Sequence, residues 1–347
     1  MSPHIIFILL LGMGLGTTTT LISSHWLLAW MGLEISTVAI IPLMAQRHHP
    51  RAVEATTKYF LIQAAAAALL LFASVTNAWL SGQWQIDQMT HPFPTTMIII
   101  ALALKIGLAP LHSWLPDVLQ GLDLTTGLIL STWQKIAPMA LLFQVVPTDP
   151  SIFIMLGLTS TLLGGWGGLN QTQLRKILAY SSIAHLGWII IVMQFEPSLA
   201  LLNLLAYFTM TISVFLIFNY FSSLNINALA NAWAKTPILA SIAPLALLSL
   251  GGLPPLTGFA PKWLILQELT KQGLPLIATI IALSALLSLY FYLRLTYVIA
   301  LTISPNTILS SAPWRFSTPK TTLLLAFAST SATLLLPIMP ASLALLS

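Results

Sequence analysis

The chain has 347 residues, of which 57% are hydrophobic and 6% charged, with a mean hydropathy of +0.91. A soluble domain carries about 25% charged residues because its surface faces water, so 13 Lys+Arg and 8 Asp+Glu cannot clothe a water-facing surface of this size. The composition fits lipid as solvent, and the length predicts one polytopic membrane domain over residues 1–347. The net charge of +5 is spread singly among apolar runs, which argues against a phosphate-tracking stripe and hence against nucleic acid as a partner. Zero cysteines exclude disulfides, thiolate zinc sites and cysteine-ligated clusters within the chain. No cleavable leader pattern opens it, so the first apolar run is expected to span.

A span needs about 20 mostly apolar residues. In chain order they are predicted at 3–22, 25–45, 57–80, 95–113, 124–146, 151–170, 174–194 and 199–222. A broken span follows at 237–252, continuing to 272, and the last two lie at 274–300 and 322–345. That makes eleven. No β-barrel alternation is visible, so the expected class is all-α. Loops on the N-terminal side hold Arg47, Arg51, Lys58, Arg175, Lys176, Lys235, Arg315 and Lys320. The opposite loops hold Lys271 with His91, Asp87, Asp149 and Glu196. By the positive-inside rule the N-terminal side is the cytoplasm-equivalent side, and an odd span number puts the C-terminus opposite.

Four charges fall where lipid is expected: Glu34, Lys105, Lys135 and Lys262. A charge at the bilayer centre costs about 2.5–3.5 kcal/mol even on the lenient insertion scale, so these side chains are expected to face the bundle interior or water. The bland alternative is one structural Glu–Lys pair with lysines snorkelling to the interface. One glutamate cannot pair three lysines, and Lys105 and Lys135 lie mid-span. Helix breakers flank two of the lysines: Gly107 and Pro110 follow Lys105, while Gly251, Gly252, Pro254, Pro255, Gly258 and Pro261 precede Lys262. Unwound backbone at membrane depth must be buried in protein or line a wet cavity. Two interrupted helices, one in each half, point to a transporter built from repeats.

His112, just past the first break, and His185, inside a span, are candidate relays, because a neutral imidazole donates and accepts together. For His185 a helix-packing hydrogen bond is an equal alternative. His4, His25, His48, His49 and His91 are expected at interfaces, and no histidine pair is placed like a haem cage. Gly12, Gly14 and Gly16 lie in an apolar span with no preceding strand, so they are not a dinucleotide fingerprint. Gly164, Gly165, Gly167 and Gly168 read as close helix packing. Glu54 and Lys58 form an i,i+4 pair, and Asp117 and Asp123 are placed to cap the fifth span.

At residues 105–118 (KIGLAPLHSWLPDV) and 248–263 (LSLGGLPPLTGFAPKW) the chain resembles a known family. It is similar to the chain 2 family of proton-pumping NADH:ubiquinone oxidoreductase, respiratory complex I, in its vertebrate mitochondrial form. These antiporter-like subunits are akin to the large subunits of multisubunit cation/proton antiporters. The resemblance covers essentially the whole chain; the first motif is common to the antiporter-like group, and the second, with the length, is specific to chain 2. It implies two inverted five-helix repeats, each with one broken helix, over residues 1–146 and 150–300, with an appended helix at 322–345. It matches Glu34 to the family's essential helix glutamate and Lys105 to the lysine of the first broken helix. Lys135 matches the lysine of the next helix, Lys262 the charged residue of the second broken helix, and His112 the histidine of the first motif. His185 inherits no role.

The resemblance further implies a multi-pass protein of the mitochondrial inner membrane, its N-terminus in the matrix and its C-terminus in the intermembrane space. Expected partners are other complex I membrane-arm subunits, including neighbouring antiporter-like and small supernumerary subunits, and membrane lipids. No cofactor or metal is expected in this chain; NADH, FMN, iron–sulfur clusters and ubiquinone belong to partner subunits. The implied function is proton translocation driven by redox chemistry elsewhere. A buried amine keeps its proton while a carboxylate stands near and releases it when the carboxylate withdraws or is neutralised. On that logic the proton passes from Lys105 toward Lys135 and then Lys262. Two other readings remain open on the residues alone: a stand-alone cation/proton antiporter, and a structural membrane spacer.

Overall fold

In the computed structural model, residues 2–46, 49–89, 91–145, 151–301 and 322–346 are described, and their regular elements are helices. Arg47, His48, Asp149, Arg315 and Lys320, and the side chain of Lys235, lie outside the described residues. The chain divides into two compact units, Met1–Ser160 and Thr161–Ser347.

The first unit opens with α1 (Pro3–Ile22) and α2 (Trp26–Met44). They cross at two glycines: a Cβ on Gly16 would fall 2.7 Å from the Gly32 carbonyl oxygen, and one on Gly32 2.8 Å from that of Gly16. Without hydrophobic driving force between helices in lipid, such close backbone approach supplies the packing. It also seats Glu34, two residues beyond Gly32. Then come α3 (Pro50–Ser81), α4 (Pro92–Ile106), α5 (Trp114–Gly121), α6 (Leu124–Ser131) and α7 (Trp133–Gln144). Helix α3 starts before the expected residue 57. Pro50 is pre-organised for a first turn, and the Nδ1 of His49 accepts from the Arg51 N–H at 3.3 Å.

The boundary between the units falls inside α8 (Ser151–Gly168). The second unit continues with α9 (Leu174–Met193), α10 (Pro197–Phe221), the short α11 (Ile226–Leu229) and α12 (Ala232–Lys235), then α13 (Pro237–Gly251) and α14 (Phe259–Lys271). It closes with α15 (Pro275–Leu301), α16 (Leu323–Leu334), a 310 turn (Leu336–Ile338) and α17 (Met339–Leu346). The glycine run of α8 packs as expected: a Cβ on Gly164 would meet the Ala184 backbone at 2.6 Å, and one on Gly168 the Phe291 ring at 2.8 Å.

Among the described residues seven helices are long and apolar enough to cross a bilayer, and α16 with α17 makes an eighth, bent by 64° rather than continuous as expected. The other expected spans are the interrupted pairs α4–α5, α6–α7 and α13–α14. The second of these corrects the reading of 124–146 as one helix. At Thr132 the backbone is distorted within the right-handed region (φ −116, ψ −71), and its hydroxyl donates to the Leu128 carbonyl at 2.7 Å. A threonine bonded back to the preceding turn competes with the helix ladder. The capping expectation is corrected too. Asp123 takes the N-cap position of α6 without a side-chain capping bond, and Asp117 lies in the first turn of α5, 3.6 Å from Lys58. The Glu54–Lys58 pair forms, at 2.8 Å.

The breaks expected near 107–111 and 251–261 are present at 107–113 and 252–258; residues 251 and 259–261, expected in the second break, are helical. Both breaks are built alike. Helices α4 and α13 each begin on a proline, run 15 residues, and end where a glycine takes a left-handed conformation, Gly107 at φ +85 and Gly252 at φ +79. The following leucine N–H returns to the last turn, Leu108 to Ala103 at 2.9 Å and Leu253 to Leu248 at 3.3 Å. Only glycine adopts that backbone freely. The second helical halves resume at the same spacing, and each carries a charged residue after a proline: Pro116–Asp117 and Pro261–Lys262.

Candidate functional site

Three of the four expected charges converge in the first unit. Lys105, the penultimate residue of α4, has its Nζ 3.8 Å from Oε1 of Glu34 on α2; their side chains are 1% and 29% exposed. That distance is within reach of an ion pair and beyond a hydrogen bond, and neither atom has a hydrogen-bond partner among the described residues. Thr37, one turn along α2, places its hydroxyl 3.5 Å from the other carboxylate oxygen. Lys135 on α7 is 2% exposed. Lys105 and Lys135 line one cavity together with Tyr59, Gln63 and Gln134, with about 10 Å³ open to the centre of a water molecule. That is room for about one water, and its polar lining offers the partners such a water needs.

The carbonyls freed by the first break find the partners that burial demands. Gln63 donates to the Lys105 carbonyl at 3.2 Å, Trp114 to that of Leu104 at 3.1 Å, and Thr159 to that of Ala109 at 3.0 Å. Gln134 donates to the Ser36 carbonyl at 3.1 Å, tying α7 to the helix that carries Glu34. His112 is held in the break, its Nδ1 3.3 Å from the Pro110 carbonyl oxygen, and does not line the cavity.

In the second unit Lys262 stands on the first turn of α14 and folds back over Gly252. Its Nζ donates to the carbonyls of Gly251, at 2.8 Å, and Leu250, at 3.4 Å. These end α13, where the helix dipole places partial negative charge, so the break itself supplies the counter-charge for the ammonium. The Trp188 ring lies 5.9 Å from Nζ and adds a cation–π contact. Gly252 leaves the room required: a Cβ there would fall 2.8 Å from Nζ. His185, 5% exposed, has its Nε2 3.5 Å from the Tyr292 hydroxyl and its ring 5.7 Å from that of Tyr207. Both alternatives raised for it from sequence keep a geometric basis, since this contact is cross-helix packing and a polar network at once.

Sequence reasoning passed over two charges. Arg294 lies inside α15 and donates to the Leu169 carbonyl at 3.1 Å, just past the end of α8. Glu268 on α14 contacts Lys271 at 3.4 Å and Gln272 at 2.9 Å. Both were visible as charges within predicted spans. Among the described residues no group of three or more His, Asp or Glu is placed to hold a metal ion.

A helical membrane bundle whose interrupted helices carry lysines near their breaks, one of them buried and facing a carboxylate on another helix, has the architecture of the antiporter-like membrane subunits. The chain belongs to the NADH-ubiquinone oxidoreductase chain 2 family. The model described as NADH:quinone oxidoreductase/Mrp antiporter matches residues 23–288, and that of the NADH dehydrogenase subunit 2 C-terminus matches 289–343. The chain is 68% identical to NADH-ubiquinone oxidoreductase chain 2 of Tetraodon nigroviridis over 99% of each chain. It is likewise 68% identical to that of Gadus morhua over 100% of each. It also superposes on a chain of respiratory complex I from Thermus thermophilus with a TM-score of 0.80 and 28% identity, covering 96% of this chain and 80% of that one.

Proposed function

We propose that this chain is a core membrane-arm subunit of proton-pumping NADH:ubiquinone oxidoreductase and moves protons through its buried charges while partner subunits do the redox chemistry. The observation that carries the reading is Lys105, buried 3.8 Å from Glu34 and sharing a cavity with Lys135. At that separation two unit charges attract by about 4 kcal/mol at an effective dielectric of 20, but only about 1 kcal/mol in bulk water. Moving one charge against 100 mV requires about 2.3 kcal/mol. The burial of the pair is therefore what makes the coupling large enough to drive transport. When Glu34 is charged and close, the Lys105 ammonium is held; when Glu34 is withdrawn or neutralised, the proton is free to leave by way of the water-sized gap toward Lys135.

In this reading Lys262 is the charge-bearing station of the second unit, and His112 and His185 are polar relays. Residues 1–146 and 150–300 are read as two copies of one inverted five-helix repeat. The matching prolines, 15-residue half-helices and glycine caps of α4 and α13 support that. The protein sits in the mitochondrial inner membrane with its N-terminus in the matrix, an orientation that the Lys/Arg asymmetry supports. Its partners are neighbouring antiporter-like subunits, small supernumerary subunits and lipids; NADH, FMN, iron–sulfur clusters and ubiquinone are bound elsewhere in the complex. The test is Lys105→Met and Lys135→Met in the whole enzyme. Proton pumping should fall while assembly on native gels stays intact; a fully active Lys105→Met enzyme would leave the chain a spacer.

A further inference from the structure

Helix α16 is hydrogen-bonded to the break that presents Lys262. Thr257, 1% exposed, lies in that break and donates its hydroxyl to the carbonyl of Ala332, which is fully buried. Ala332 is in the last turn of α16, where carbonyls have no intrahelical donor. The N–H that would reach it belongs to Leu336, where the chain has already passed into a 310 turn. A carbonyl freed at membrane depth must find its partner within the protein, and Thr257 supplies it. The α16 face turned inward carries Ala328, Ser329 and Ala332, small side chains that let the helix lie close.

The neighbouring residue fixes the other side of the linker. A Cβ on Gly258 would fall 1.8 Å from the Ser249 carbonyl oxygen, so the linker is pressed against α13 here and tied to α16 one residue earlier. The linker held here joins the end of α13, whose Leu250 and Gly251 carbonyls receive the Lys262 ammonium, to the first turn of α14, which carries that lysine. The first unit has the same device with donor and acceptor exchanged. Thr159, on the helix that follows α7, donates to the Ala109 carbonyl of the first break. In both units a threonine ties the break to a helix further along the chain.

We infer that Thr257 is a positioning residue for Lys262, and that α16 is the brace through which it acts. Holding the linker keeps the end of α13 aimed at the ammonium; releasing it lets the linker drift and the lysine lose its acceptors. This rests on the reading of Lys262 as a proton-carrying group.

The experiment compares Thr257→Val, which keeps the shape and removes the donor, with Thr257→Ser, which restores it, in the assembled complex. Lys262→Met is measured alongside. Thr257→Val should lower protons ejected per unit time about threefold or more at unchanged KM for ubiquinone, and Thr257→Ser should recover to near the wild-type rate. The factor reflects one buried hydrogen bond. If Thr257→Val does not assemble, Ala332→Leu, which wedges α16 off the linker without altering the break, should give the same loss. A wild-type pumping rate in Thr257→Val, or a Thr257→Ser enzyme as impaired as the valine variant, overturns the inference. If Lys262→Met abolishes pumping while Thr257→Val does not, the positioning role alone falls. If Lys262→Met pumps normally, the role of Lys262 falls and the positioning inference goes with it.

Discussion

Glu34→Gln removes one charge of the buried pair while preserving its shape. The Nζ of Lys105 lies 3.8 Å from the carboxylate, and its side chain is 1% exposed. Burial places the pair nearer the value of about 4 kcal/mol for an effective dielectric of 20 than that of about 1 kcal/mol for water. The 29% exposure of Glu34 pulls it down from the upper figure. A working coupling of about 2 kcal/mol corresponds to roughly 30-fold at 1.36 kcal/mol per decade. Glu34→Gln and Lys105→Met should therefore each reduce NADH-driven pumping by about tenfold or more. The double mutant should fall short of the product of the two losses by a coupling of about 1–3 kcal/mol, because one switch cannot be broken twice. The assay is NADH-driven quinone reduction and proton ejection in the whole enzyme, normalised to assembled complex on native gels. Losses that multiply independently would refute the coupling. Losses that track reduced assembly would make the pair structural, and wild-type stoichiometry in both variants would remove it from the proton path.

Gly252→Ala should cost about 1–2 kcal/mol in backbone strain alone, since it forces a side chain into a left-handed conformation. Its Cβ would also displace Lys262, so pumping should drop more than thermal stability does; equal effects would mean the cap matters only for folding. Gln134→Leu should loosen α7 from the Ser36 carbonyl and lower pumping with a smaller effect than Lys135→Met, as measured in the same proteoliposome assay; a wild-type rate would make that tie dispensable. Gly32→Val should prevent α1 and α2 from meeting at their glycines, and native gels should show lost assembly; normal assembly would contradict close packing as the seat of Glu34. In mitoplasts with the outer membrane opened, an epitope at the C-terminus should be cut by added protease and one at the N-terminus protected; the reverse pattern would break the orientation argument.

The charge arithmetic alone determined that this chain lives in lipid, because a surface with so few charged residues cannot face water. The cost of burying a charge singled out Glu34, Lys105, Lys135 and Lys262 without reference to any fold. Proline and glycine marked both breaks, since a missing N–H and a left-handed backbone are local properties legible from residue type. The interruption at Thr132 left no such mark. Threonine occurs throughout these helices without breaking them, and Thr211 makes the same bond to the preceding turn inside an unbroken α10, so residue type alone could not single out Thr132. Pairing was equally hidden. A sequence places Glu34 and Lys105 at depth but does not say which faces of α2 and α4 meet; Gly16 and Gly32, by letting α1 and α2 touch, settle where α2 lies. The counter-charge of Lys262 could not be read at all, because it is no side chain. It is the carbonyl end of α13, exposed by the break and turned toward the lysine by tertiary contacts that include a hydroxyl 75 residues from its acceptor. Residue type decides what a group can do chemically, while the partner it meets depends on how distant backbone is held, and that only packing decides.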